Sequence, residues 1–287
     1  MALTRILTFM NGTEESRSAL KAAIAVGKTR PSLVDGLHVE LDAQHLRWAA
    51  APGLGDPLPG AIVEEARKAA EERAKLAHAM FDEETQNLKR INNGALPDPD
   101  GLTVRFLLRR GHEGDELARA GRTHDLTVVP RPSGAARETE MVAAEAALFE
   151  SGHPVLIVPE GKGEVIGKHV AIAWTDTKEA ARTLWAARLF LEKAERVSVL
   201  MIVDDDDNPD THDINEFFLH KGIDVEVDLA RDTREPIAEQ ILKRAEQVGA
   251  DVLCMGAYGH SRMRELVLGG ATRGVLWDAE IPVLMAH

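Results

Sequence analysis

Cysteine is almost missing from the 287 residues: Cys254 is the single one, so neither an intrachain disulfide nor a cysteine-based metal site can form. It lies in the run Asp251-Val252-Leu253-Cys254-Met255, a buried strand pattern that gives a thiol none of the polarisation or access a nucleophile needs. Positive charge is also scarce. Against 47 Asp and Glu there are 34 Lys and Arg, a formal net charge of -13. That balance repels a phosphate backbone, and no Lys/Arg-rich run or aromatic-interleaved basic stripe offsets it, so nucleic acid is excluded as a partner. No run approaches the roughly 20 apolar residues of a membrane span. The opening stretch from Met1 to Met10 is too short for a signal-peptide core and runs into polar Asn11-Gly12-Thr13-Glu14-Glu15, so a reducing cytoplasm is the expected location. A Gly-x4-Gly-Lys-Ser/Thr motif is absent as well, which removes the lysine that phosphate-loop nucleotide hydrolases use.

What is present fits a packed fold: 44% of residues are hydrophobic and 28% charged, and the length favours two domains over one. The segment Pro154-Val155-Leu156-Ile157-Val158-Pro159 is echoed by Pro282-Val283-Leu284-Met285-Ala286-His287, each closing one half. Both halves open on an apolar run and a polar turn leading into a helix, Ile6 to Ser16 and Val170 to Glu179. Two copies of one domain account for both coincidences. Apolar runs at 169–174, 197–203, 223–229, 251–255 and 282–286 read as strands of the second copy, and those near 4–10, 33–39, 102–108, 125–129 and 154–159 as strands of the first. Most lack polar alternation, as strands covered on both faces do. With helices between them, they predict an α/β fold of two tandem, doubly wound, Rossmann-like parallel-sheet domains. The expected domains are 1–160 and 165–287, joined by Glu160-Gly161-Lys162-Gly163-Glu164.

The halves differ in length. The first is longer by 36 residues, in an insertion about residues 44–100. Ala49 to Gly60, with its prolines and glycines, reads as a loop. A helix follows in which Ile62, Ala66, Ala70, Ala74, Ala77 and Phe81 recur at spacings of four and three, a stripe suited to packing on the sheet or, alternatively, on a partner. In the second half, Ala180, Leu184, Ala187 and Leu191 form one helical core stripe, and Ile237, Ile241, Ala245 and Val248 another.

The segment most informative about function runs from Met255 through Gly256, Gly259, Gly269, Gly270 and Ala271 to Thr272, directly after a predicted strand. Open α/β sheets bind ligands at the carboxyl ends of their strands. Glycines there let phosphate oxygens approach the backbone, and a helix beginning at Gly269-Gly270 would face an anion with its unpaired N–H groups. Gly256-x2-Gly259-x9-Gly269 resembles the signature of the universal stress protein family, and Ser151-Gly152-His153-Pro154-Val155-Leu156 resembles the end of the first domain in its tandem members. The resemblance implies a non-catalytic stress-response protein whose second domain binds an adenine nucleotide, ATP with Mg²⁺ entering only alongside it. It implies contacts from Met255, Gly256, Gly259, Gly269, Gly270, Ala271 and Thr272 to phosphate, and from Ile202 to adenine. It also implies pairing of the two domains as an internal pseudo-dimer through their last strands, with a homodimer as a further expectation.

Departures from the family pattern are specific. Gly270 stands where the motif has Ser or Thr, which removes a hydroxyl but keeps the backbone N–H. Thr175 stands where an adenine-side Asp is expected, with Asp176 next to it and placed to cap the following helix with Glu179. In the first half the matching position is Asn11, and the matching loop, Val129-Pro130-Arg131-Pro132-Ser133-Gly134-Ala135-Ala136-Arg137, has no Gly-x2-Gly and carries prolines without N–H donors. That half is expected to bind no triphosphate. The alternative function is therefore a scaffold that has lost nucleotide, or a binder of another small ligand.

Other candidates are weaker. The run from Asp204 to Asp210 with His212 and Asp213 lacks calcium-loop spacing and reads as a solvated loop. His260 and Ser261 lack a nucleophile-elbow context. Trp174, Trp185 and Trp277 fall in strand or helix patterns and read as core. No general base presents itself, so no enzymatic activity is expected.

Overall fold

A computed structural model describes residues 3–40, 60–134, 137–204, 206, 208–257 and 270–287. In the first half β1 (Thr4–Phe9), α1 (Glu14–Gly27), β2 (Ser32–Glu40), α2 (Gly60–Glu84), β3 (Lys89–Arg90), β4 (Leu102–Arg110), α3 (Glu113–Gly121), β5 (Leu126–Pro130), α4 (Arg137–Glu150) and β6 (Val155–Val158) follow one another. The second half continues with β7 (His169–Ala173), α5 (Lys178–Ala186), α6 (Arg188–Leu191), β8 (Arg196–Val203), α7 (His212–Leu219), β9 (Val225–Arg231), α8 (Ile237–Gln247), β10 (Val252–Gly256), α9 (Gly270–Asp278) and β11 (Val283–Ala286).

All eleven strands form one sheet in the order β3-β4-β2-β1-β5-β6-β11-β10-β7-β8-β9. Read outward from its middle, the order is fifth, fourth, first, second, third strand in each half, with β3 added at one edge. Apart from the short β3, which reaches its parallel neighbour β4 through a helix-free loop, the parallel neighbours within each half are joined by helical crossovers, which is why apolar strands alternate with helices. The exception lies at the centre, where β6 and β11 pair antiparallel in the register Val283↔Ile157, Leu284↔Leu156, Met285↔Val155.

Helices cover both faces. One core layer joins Leu20 of α1, Phe81 of α2, Leu184 of α5 and Phe218 of α7 to the sheet. The other joins Leu117 of α3, Leu148 of α4, Ile241 of α8 and Val275 of α9. Leu156 and Leu284 lie in the first layer, and Val155, Ile157, Val283 and Met285 in the second, so both layers pass through the central strand pair.

The stripe on α2 divides: Ala70, Ala77 and Phe81 are buried, whereas Ile62 is half exposed, so only the later turns pack on the sheet. Trp185 is 53% exposed, which corrects its reading as core; Arg188 lies over its ring at 4.6 Å. Within the acidic run, the described Asp210 accepts a hydrogen bond from the His212 amide at 2.8 Å, and His212 begins α7. The described residues of the run before His212 lie outside any helix or strand and are mostly exposed, as a solvated loop would be, and only His212 and Asp213 enter α7; Asp205 and Asp207 lie outside the described residues, as do residues 41–59.

Candidate functional site

The second half turns direction between β7 and β10, since the chain goes from β7 to β8 on one side and reaches β10 on the other. Such a switch point opens a crevice at the carboxyl ends of the strands. Register sets Met255 beside Ala173, and Ala173 beside Leu200, so the ends of β10, β7 and β8 stand side by side. Thr175 and Asp176 follow β7 and are exposed, Ile202 is half buried near the end of β8, and Met255 and Gly256 end β10. Gly270, Ala271 and Thr272 form the first turn of α9, with the Thr272 side chain buried. Gly259 and Gly269, with His260 and Ser261, lie outside the described residues.

Two local readings change. The cap of α5 is Thr177, not Asp176: its side chain accepts from the Ala180 amide at 3.2 Å, and its own amide donates to the Thr175 carbonyl at 2.7 Å. Asp176 sits one residue too early for the capping geometry and keeps its carboxylate in solvent. At Gly256 the position a Cβ would take is 2.6 Å from the Ala180 amide nitrogen and 2.7 Å from the Glu179 carbonyl carbon. The glycine therefore admits the first turn of α5 against the strand end, a helix-packing role.

Thr183 fixes that helix. Its hydroxyl, fully buried, lies 3.0 Å from the Glu179 carbonyl and 3.2 Å from the Met255 carbonyl, and accepts from the Ala286 amide at 3.2 Å. One hydroxyl thus ties α5 to both β10 and β11.

The matching crevice of the first half, between β1 and β5, is filled by the chain itself. Gly12, at φ +84°, lies beneath α2: a Cβ there would be 3.1 Å from Leu76 Cβ and 3.3 Å from the Arg73 carbonyl oxygen. Asn11 accepts from the Thr13 amide and hydroxyl at 3.2 and 2.8 Å, and its Nδ2 donates to Glu140 at 3.4 Å. Glu140 also accepts from the Ser133 amide at 3.1 Å, and Glu15 from the Ser133 hydroxyl at 2.6 Å. Burial holds the Glu140 carboxyl above its ordinary range, with Glu15 adding repulsion, while the Ser133 hydroxyl holds Glu15 below its own. Two carboxylates at the carboxyl end of the strands make this pocket hostile to a triphosphate.

Sequence reasoning passed over what the first-half loop does instead. Arg131 and Arg137 reach into the second half and donate to the Trp277 carbonyl at the end of α9, at 2.6 and 3.0 Å. Trp277 is half buried at this junction and packs against the second core layer. The signal was available in principle, as two arginines flanking a proline-rich loop, but nothing in one dimension says which surface they face.

Cys254 is fully buried in β10, and burial pushes its thiol far up. No group of three or more His, Cys, Asp or Glu suited to a metal occurs among the described residues, and none of the described helices is long and apolar enough to cross a membrane.

Residues 167–287 match a family model described as the universal stress protein family. A 63-residue stretch is 44% identical to a universal stress protein of Synechocystis sp., over 22% of this chain and 21% of that protein. A 47-residue stretch is 38% identical to a universal stress protein of Methanocaldococcus jannaschii, over 16% of this chain and 29% of that protein. The chain thus aligns with less than a third of either relative. Across nearly its whole length it shares a fold with a universal stress protein from Archaeoglobus fulgidus, with TM-score 0.66, 18% identity and coverage of 98% of this chain and 97% of the other. A putative universal stress protein from Pseudomonas aeruginosa gives TM-score 0.52 at 14% identity, covering 99% and 93%. The second half thus matches the universal stress protein family, and the chain as a whole shares its fold with these two solved universal stress proteins.

Proposed function

We propose that the chain is a tandem stress-response protein of the cytoplasm, with domains at 1–160 and 165–287, whose second domain binds an adenine nucleotide without turning it over. The observation that carries this reading is the contrast between the two switch points. In the second half Thr175 and Asp176 stand exposed beside the end of β10 and the start of α9, whereas in the first the matching Asn11 is tied to Thr13 and Glu140 beneath α2. ATP, with Mg²⁺ carried on its phosphates, would take Gly259, Gly269, Gly270, Ala271 and Thr272 at the phosphates, Ile202 at the base, and Thr175 or Asp176 at the ribose or base edge. The antiparallel β6–β11 pair supports an internal pseudo-dimer of the two domains.

A second reading, a scaffold that has lost nucleotide, is favoured by two substitutions: Thr175 for an acid and Gly270 for a hydroxyl residue. Titration calorimetry with ATP and Mg²⁺ separates the two. Gly270→Ser restores one hydrogen bond to charged phosphate and should tighten binding about tenfold. Gly259→Val, which puts a branched side chain where phosphate approaches, should abolish it. Unmeasurable binding by both wild type and Gly270→Ser leaves the scaffold reading.

A further inference from the structure

Three arginines converge on one indole where the two halves meet. Arg131, just after β5, and Arg137, the first residue of α4, share the Trp277 carbonyl as acceptor. The Arg137 guanidinium lies over the Trp277 ring at 4.3 Å and the Arg273 guanidinium at 4.5 Å from the same centroid. A backbone carbonyl is neutral, so it satisfies two N–H donors and cancels neither charge. Neither Arg131 nor Arg137 has a carboxylate partner among the described residues; Arg273 acts on Glu145 through charge alone, and burial still holds that carboxyl above its ordinary range.

The hydrogen-bond account is left open in a directional way. Arg131 Nε, Arg137 Nε and Trp277 Nε1 are all buried, and none has a partner. Each is a donor only. Three unpaired donors and two half-buried cations lack the same thing, a multidentate negative acceptor, and buried groups of this kind are rarely left unsatisfied.

We infer that this junction is a second ligand site, distinct from the α9 N-terminal crevice, that takes a small tetrahedral oxyanion of the phosphate type. Planar guanidinium forks match such an anion with paired, charge-assisted hydrogen bonds, and the indole N–H adds a neutral donor. The first-half loop, lacking the glycines that cradle phosphate through backbone amides, supplies side-chain donors to the interface. The site draws on β5, α4 and α9, so occupying it would strengthen the contact between the halves.

The test is a titration of the full chain with sodium phosphate, at ionic strength held constant with sodium chloride, following melting temperature and tryptophan emission. Phosphate should raise the melting temperature saturably where chloride does not, and should change the emission of Trp277. Arg137→Gln should weaken phosphate binding about tenfold or more, as expected for a charge-assisted pair. Arg273→Gln, at an exposed side chain whose loss leaves the fold intact, should weaken it by about threefold or more. Gly259→Val, which acts at the nucleotide crevice, should leave phosphate affinity within about twofold of wild type. ATP tests whether the anion is a free phosphate or a nucleotide's phosphoryl group: a free-phosphate site keeps its response when ATP is saturating. A phosphate effect no larger than that of chloride, or one retained by both arginine variants, would overturn the assignment. So would an effect lost in Gly259→Val but kept in Arg137→Gln.

Discussion

Single residues carry more of this fold's tolerance than their size indicates. At Gly256 a methyl group would meet backbone atoms of α5 at 2.6 and 2.7 Å, and a backbone, unlike a flexible side chain, cannot move aside locally. Gly256→Ala should therefore cost about 1–3 kcal/mol, the usual range for overpacking, measured by urea denaturation; unchanged stability would mean that α5 is free to shift. Asp35 shows the electrostatic counterpart. Its carboxylate is fully buried in β2, and accepts two hydrogen bonds from Arg105 at 2.8 and 2.6 Å and one from His124 Nε2 at 2.9 Å, while His124 Nδ1 lies 2.8 Å from the Ala120 carbonyl. Burial alone would raise the carboxyl, but His124 and Arg105 more than offset it and hold it low. Because the folded value lies below the unfolded one of about 3.9, this stabilisation is complete above that pH and is lost as pH falls through the folded value. Asp35→Asn should remove that part of the acid dependence below about pH 4. At neutral pH it should cost about 3–5 kcal/mol, because it leaves the Arg105 guanidinium without its counter-charge.

The elements divide by how much tertiary context they need. Strands β1, β5, β7 and β10 were legible as near-continuous apolar runs because parallel strands under two helical layers bury both faces. The two-residue β3 carries no such pattern, and α7 spans only eight residues beside an acidic run whose charge reads as loop. The cap of α5 was misplaced because Asp176 and Glu179 mimic the spelling of a capping box, while the backbone turn is closed one residue later by Thr177. The candidate crevice was legible as a motif and a place in the sheet. Two features were not: the packing role of Gly256, and the Glu140 and Glu15 carboxylates in the opposite crevice, since each depends on contacts between distant segments. Thr183 belongs to the same class. Thr183→Val keeps volume but strands the Met255 carbonyl and the Ala286 amide. It should cost about 1–3 kcal/mol in chemical denaturation, whereas Thr183→Ser, keeping the hydroxyl, should recover most of that loss; an equal loss in both would assign the effect to packing.

At the scale of the whole molecule, both helical layers and the sheet run unbroken through β6 and β11, so the halves have no separable cores. Leu156 and Leu284 face each other in that pair and are fully buried. An aspartate at 156 would place a charge without a partner in the centre of the sheet, which costs about 3 kcal/mol or more. If the junction is one cooperative unit, the damage cannot stay in the first half. Hydrogen exchange of Leu156→Asp should then show matched loss of protection in β6 and in β11, reaching the end of α9 where Arg131 and Arg137 grip Trp277. The interior strands β2 and β8, several strands away on either side, should keep theirs, because sub-global opening follows contiguous contacts. Loss confined to β6, with β11 as protected as in wild type, would mean that the halves open independently and that the antiparallel pair adds little to the coupling between them.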